Sequence, residues 1–167
     1  RLGGYGVPGL SNLHSHAFQR ALAGRTEFVT TAMVEDNLWT WRKEMYQMVD
    51  RLTPEAYEAI AALVYLEMLQ FGMTAVCEFH YVHHLGGGKT YANPAEMSDR
   101  LIAASQGVGL GLTLLPVFYA HAGINKPVEA TQKRFAHSVD DYLSLIDTLR
   151  GHSAGRPNLK IGIALHS

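Results

Sequence analysis

The sequence predicts an α/β fold of parallel strands alternating with helices, arranged as a (β/α)₈ TIM-type barrel of which about the first four β/α units are present. Three observations predict it. Short apolar runs alternate along the chain with stretches of helical periodicity. Continuously apolar strands separated by helices belong to a parallel sheet buried on both faces. Every predicted strand also delivers a histidine near its C-terminal end, where the βα loops of a barrel converge on the active site. A doubly wound sheet competes for the first two observations, but four units fit half of an eight-unit barrel of roughly 250 residues.

Taken in order, residues 6–13 (GVPGLSNL) read as the first strand, running into a loop with His14 and His16 and then a helix start at Ala17-Phe18-Gln19-Arg20. Asn37–Leu52 carries Leu38, Trp41, Met45, Met48 and Leu52 at helical spacing. Thr53-Pro54 opens a second helix, threonine capping it and proline taking the first helical position. Its apolar stripe is Ala56, Ile60, Leu63, Val64 and Phe71, and Gly72 ends it. Met73–Phe79 is the second strand, and a glycine-rich loop with His80, His83 and His84 follows. Asn93 reads as the cap of a third helix, with Glu96 at N3. Gly109–Phe118 is the third strand, with His121 just beyond it. Ser138–Leu149 holds a fourth helix, and Leu159–Leu165 is the fourth strand, closed by His166.

Composition narrows the functional classes. The 167 residues are 47% hydrophobic and 17% charged, enough for a large core and against disorder. A net charge of −1 leaves no basic imbalance to attract nucleic acid or a membrane surface. Cys77 is the one cysteine, placed in an apolar run and read as buried, so no disulfide framework is possible and a cytoplasmic setting is the default. No apolar run approaches the roughly 20 residues of a membrane span, and the start has no signal-peptide order. Both ends read as cut.

Nine histidines are present, and their placement separates them. His137 and His152 read as solvated surface residues. For His83 and His121 a structural hydrogen bond and a functional role are both open. His14-Ser15-His16 differs, because residues i and i+2 of an extended chain point to one side and two imidazoles can reach one ion. Imidazole suits zinc, iron or nickel, and a catalytic site keeps one coordination position for water.

The stretch PGLSNLHSHAFQRALAG resembles the first-strand signature of the amidohydrolase superfamily. LWTWRKEMYQMV, TAVCEFHYVHH, GLTLLPVFYAHAG and the closing IALHS are similar to its formimidoylglutamate deiminase group, and the likeness runs from Val7 to Ser167. FHYVHH and WTWR are specific to that group, whereas HxH marks only the superfamily.

The resemblance implies a (β/α)₈ barrel beside a small β-sandwich, one catalytic zinc, and a homodimer. It implies hydrolysis of N-formimidoyl-L-glutamate to N-formyl-L-glutamate and ammonia in histidine degradation. By motif, His14 and His16 match the family's first two metal ligands, and Gln19, Arg42, Tyr81 and His166 match its substrate-binding residues. The remaining ligands and the acid/base residues belong to later strands. Residues 1–167 are therefore expected to be the N-terminal part of the barrel, without its C-terminal half or the sandwich, and inactive alone. The residues themselves leave alternatives. Arg42 suits a substrate carboxylate or a solvated helix face, and Tyr81 a substrate hydrogen bond or a core edge. Trp39 and Trp41 read as packing, Glu67 and Glu78 as structural. A related enzyme of the guanine deaminase, chlorohydrolase or imidazolonepropionase type is the alternative activity.

Overall fold

A computed structural model describes residues 3–26 and 37–166; Ser167, the last residue of IALHS, lies outside them. Strand β1 (Leu10–Ser15) is followed by a 3₁₀ turn at Ala17–Leu22, then helices α1 (Leu38–Arg51) and α2 (Pro54–Gln70). Next come β2 (Met73–His80), α3 (Glu96–Val108), β3 (Gly111–Phe118), α4 (Val139–Ser153), β4 (Leu159–Ile161) and β5 (Ala164–Leu165). The strands are parallel in the order β1-β2-β3-β4, with β5 returning to pair with β3. A doubly wound sheet reverses its order at a switch point. Here β1 to β4 lie side by side in chain order, as in a barrel wall.

Right-handed crossovers between neighbouring strands put successive helices on one face, and the burial pattern follows. Val76, Glu78 and His80 of β2 and Leu112 and Leu114 of β3 are buried beneath the helices. The expected burial on both faces does not hold among the described residues. Leu13, Ile163 and Leu165 are exposed, and Cys77, expected to be buried, is half-buried with Ala75 and Phe79 on the open face. Apolar strands mark that face for cover, but helices line only the other; a closing barrel covers the inner one.

Local chemistry sets the boundaries. The Thr53 hydroxyl accepts the Ala56 N–H at 3.2 Å with Pro54 in the first turn, as the sequence predicts. Gly72 leaves α2 at φ 81° and Gly109 leaves α3 at φ 80°, a left-handed geometry that glycine adopts without a Cβ penalty. Gly109 was expected to start β3; it caps α3 instead. The expected cap at Asn93 is also displaced. Asn93 closes a turn, accepting the Ala95 N–H at 3.0 Å and donating to Asp99 at 2.9 Å, while Glu96 pairs with Arg100 at 2.7 Å. Ala95 stands at the cap instead, with no side-chain cap bond. The predicted fourth strand is split by Gly162-Ile163 into β4 and β5.

Two buried polar groups tie the elements together. Arg134 is 3% exposed and donates Nε to the His84 carbonyl at 2.7 Å, one Nη to the Val49 carbonyl, and the other to the Leu52 carbonyl at 3.0 Å. Its own carbonyl accepts the His83 and His84 N–H groups. The end of α1 is thereby fixed to the loop after β2. Arg134→Met should lower unfolding stability by on the order of 3 kcal/mol, since hydrogen bonds to a charged group contribute about 1.5–3 kcal/mol each. A denaturation midpoint equal to the parent's would contradict it.

His80, His83, His84 and His137 form the second group, with rings 4.4 Å (His80–His83), 4.3 Å (His83–His137) and 4.6 Å (His84–His137) apart. His137 is thus no surface residue; it is half-buried against these rings and Tyr142. His152 stays at the surface, where it pairs with Asp99 at 2.9 Å. His83 settles on a structural bond, to the Val117 carbonyl at 3.3 Å, and His84 bonds the Ala136 carbonyl at 2.8 Å. Burial, then neighbouring imidazoles, holds His80 down to about 3 and His137 to about 4, and burial lowers His83 and His84 too. These rings stay neutral in the fold, whereas in the unfolded chain each gains a proton below about 6.5. The unfolded state then binds more protons, so stability present above pH 6.5 is lost as pH falls toward 4. The melting temperature should drop steadily over that interval. A flat profile there would contradict the neutral quartet.

Candidate metal and substrate site

His14 lies next to the last residue of β1 and His16 just follows the strand, and their Nε2 atoms face each other at 3.0 Å. The ring of His16 is oriented from β2: its Nδ1 lies 3.2 Å from the Phe79 carbonyl. A carbonyl only accepts, so Nδ1 carries the proton and the Nε2 lone pair is left pointing at His14. This is the arrangement in which a backbone carbonyl fixes the tautomer of a metal-binding imidazole. Burial, against the Phe79 bond and with a smaller push from His14, lowers the His16 pKa and favours the neutral, ligating form.

These residues fit a metal ion. Two nitrogens at about 2.0–2.1 Å from a tetrahedral zinc stand about 3.3 Å apart, close to the observed 3.0 Å. Two imidazoles are half of such a set. No group of three or more His, Cys, Asp and Glu side chains is placed to hold a metal among the described residues.

The turn after His16 is fixed by Glu78. This residue is fully buried, lies in register with Ser15, and accepts the Ala17 N–H at 2.6 Å. Burial pushes its carboxyl up to about 7 against that hydrogen bond. Its structural reading therefore holds, and its partner is a backbone amide beside the histidine pair. Glu67, on the surface of α2, pairs with Arg20 at 2.9 Å.

A cavity of about 240 Å³ opens beside His16. Gln19 of the 3₁₀ turn, Arg42 of α1, Tyr81 after β2 and His166 after β5 all line it. The six residues singled out in the sequence thus meet at one end of the sheet, His14 reaching the cavity through His16. Tyr81 sits 5.2 Å from the His16 ring and 5.7 Å from His166. The Arg42 guanidinium lies over Trp39 and Tyr46, 5.9 and 5.4 Å from the ring centres. Burial opposes its charge, but the bond to Tyr46 outweighs that and its pKa is raised. His121 is exposed and does not line this cavity.

Trp41 packs against the core, as expected, and also borders the cavity. Tyr46, Tyr119 and Phe135, not singled out in the sequence, line it too. Tyr119 is 3% exposed and stacks on His166 at 4.8 Å and 19°. Its position just after β3 was the available signal, since strand ends supply the other groups.

Residues 5–153 match the amidohydrolase family. The chain belongs to the amidohydrolase family. This amidohydrolase chain is 52% identical over 93% of its length to formimidoylglutamate deiminase of Pseudomonas aeruginosa, of which it covers 35%. It superposes with a TM-score of 0.90 and 43% identity on an amidohydrolase from Brucella melitensis, covering 96% of this chain and 36% of that one. An atrazine chlorohydrolase from Arthrobacter aurescens TC1, solved with zinc and atraton, shares the fold at TM-score 0.67 and 21% identity, with coverage of 95% and 34%. The chain therefore spans about a third of the length of the relatives it matches. No helix among its described residues is long and apolar enough to cross a membrane.

Proposed function

We propose that the full-length protein carrying this chain is a zinc-dependent formimidoylglutamate deiminase, a cytoplasmic homodimer that hydrolyses N-formimidoyl-L-glutamate to N-formyl-L-glutamate and ammonia in histidine degradation. The observation that carries this reading is that His16, paired with His14, and the Arg42 guanidinium line one cavity. The 52% identity to a formimidoylglutamate deiminase supports it.

His14 and His16 would hold the ion, with the remaining ligands and the acid and base supplied by the part of the barrel that this chain does not span. A bound zinc supplies hydroxide near neutral pH by lowering the pKa of water to around 7. Hydrolysis forms a C–O bond at the formimidoyl carbon and breaks its bond to the terminal nitrogen, which takes protons and leaves as ammonia. Arg42 pairs with one carboxylate of the substrate through its planar fork. Gln19 and Tyr81 offer hydrogen bonds at the cavity wall, and His166 stands opposite, held by the Tyr119 ring.

Ammonia release by the purified full-length protein tests the reading. Formimidoylglutamate should be turned over far faster than guanine, a chlorotriazine or imidazolonepropionate. A preference for any of those three would replace this function with the related activity. Residues 1–167 alone, with added zinc, should show no turnover above background.

A further inference from the structure

We propose that Tyr46 is a substrate ligand, completing with Arg42 a clamp for one carboxylate group. The inference rests on the dianionic substrate named above and adds a specificity-determining residue to it.

Arg42 and Tyr46 stand one helical turn apart on α1, on the same face, and both line the cavity. Arg42 donates Nε to the Tyr46 hydroxyl at 2.8 Å, and Gln132 donates Nε2 to the same oxygen at 3.3 Å. Gln132 is 1% exposed, and its Oε1 accepts the Glu129 N–H at 3.0 Å. That backbone donor fixes which way the amide faces, so its nitrogen must point at Tyr46. A phenol oxygen has two lone pairs, and both are then engaged. The O–H proton is left to donate, and no acceptor among the described residues takes it.

Arg42 is constrained by the same contact. Its Nε edge is occupied by Tyr46, its guanidinium carbon stands 5.9 and 5.4 Å from the Trp39 and Tyr46 ring centres, and no carboxylate among the described residues pairs with it. The Nη side, with the Tyr119 hydroxyl as a neighbour, meets no carboxylate among the described residues and is open to an anionic ligand. A carboxylate there accepts N–H from Arg42 with one oxygen and O–H from Tyr46 with the other. Both donors favour an anion, because hydrogen bonds to a charged acceptor are roughly twice as strong as neutral ones. The clamp therefore discriminates against the carboxamide of the same shape.

Kinetics of Tyr46→Phe in the full-length protein test this, with formimidoylglutamate and its side-chain amide and α-amide compared. The parent should prefer the acid to one of the two amides. Tyr46→Phe should raise KM for the acid by about 10- to 100-fold with a smaller change in kcat, and that acid-over-amide preference should shrink by a similar factor. The preference is a ratio within one protein, so partial loss of folded enzyme cancels from it. Equal losses on acid and amides, or none, would overturn the clamp. If the parent does not turn over formimidoylglutamate at all, the proposed function fails. The clamp is then read by calorimetry with N-acetyl-L-glutamate, whose binding Tyr46→Phe should weaken about tenfold or more; equal affinities would overturn it.

Discussion

Replacing His16 by alanine in the full-length protein should remove bound zinc and deiminase activity together. The side chain supplies an Nε2 lone pair whose direction is set from β2 through the Phe79 carbonyl. Removing a partner that only orients a ligand costs about 10–100-fold in metal affinity or activity, so removing the ligand should exceed that range. His14→Ala should do the same, because its Nε2 faces the same point. Metal analysis of the purified variants, with circular dichroism to confirm folding, checks the result. Retention of one zinc per chain by a folded His16→Ala protein would remove these histidines from the metal site.

Arg42→Met should leave the zinc content alone and raise KM for formimidoylglutamate by on the order of 10- to 100-fold, the worth of a hydrogen bond to a charged group at about 1.5–3 kcal/mol. Methionine retains length and apolar packing against Trp39 and Tyr46 while removing the fork. The contrast with His16→Ala is diagnostic, since one variant loses the ion and the other loses affinity for the substrate's anionic end. Unchanged kinetics would return Arg42 to a solvated helix face, the other reading its sequence position allowed.

The parts of the fold readable in sequence were those fixed by neighbours along the chain. Thr53-Pro54 and Gly72 bound α2 through local backbone chemistry, and the strand runs carry their own apolar pattern. The histidine pair was legible because i, i+2 spacing at a strand end is geometry in one dimension. What was misread depends on distant partners. Asn93 is the local exception, its amide taken up by the Ala95 N–H and the Asp99 carboxylate instead of capping the helix. His137 was assigned to solvent, yet it packs against rings from the β2 loop more than 50 positions earlier. Trp41 packs against the core as its spacing predicts, but that it and Tyr119 also border the cavity depends on how α1 and the end of β3 dock, which local patterns do not encode. Arg134 had no signal at all, since its partners are backbone carbonyls, identical for every residue type.

Those carbonyls set a timetable for synthesis. The Val49 and Leu52 carbonyls wait for an anchor that follows them by 85 and 82 positions. At roughly 5–20 residues per second, α1 leaves the ribosome about 4–17 s before Arg134 exists to hold it. During that interval the segment bearing Arg42 and Tyr46 lacks the bonds that fix its end, and Val49, wholly buried in the finished fold, still awaits its cover. The segment bearing Arg42 and Tyr46 is thus made early and locked late.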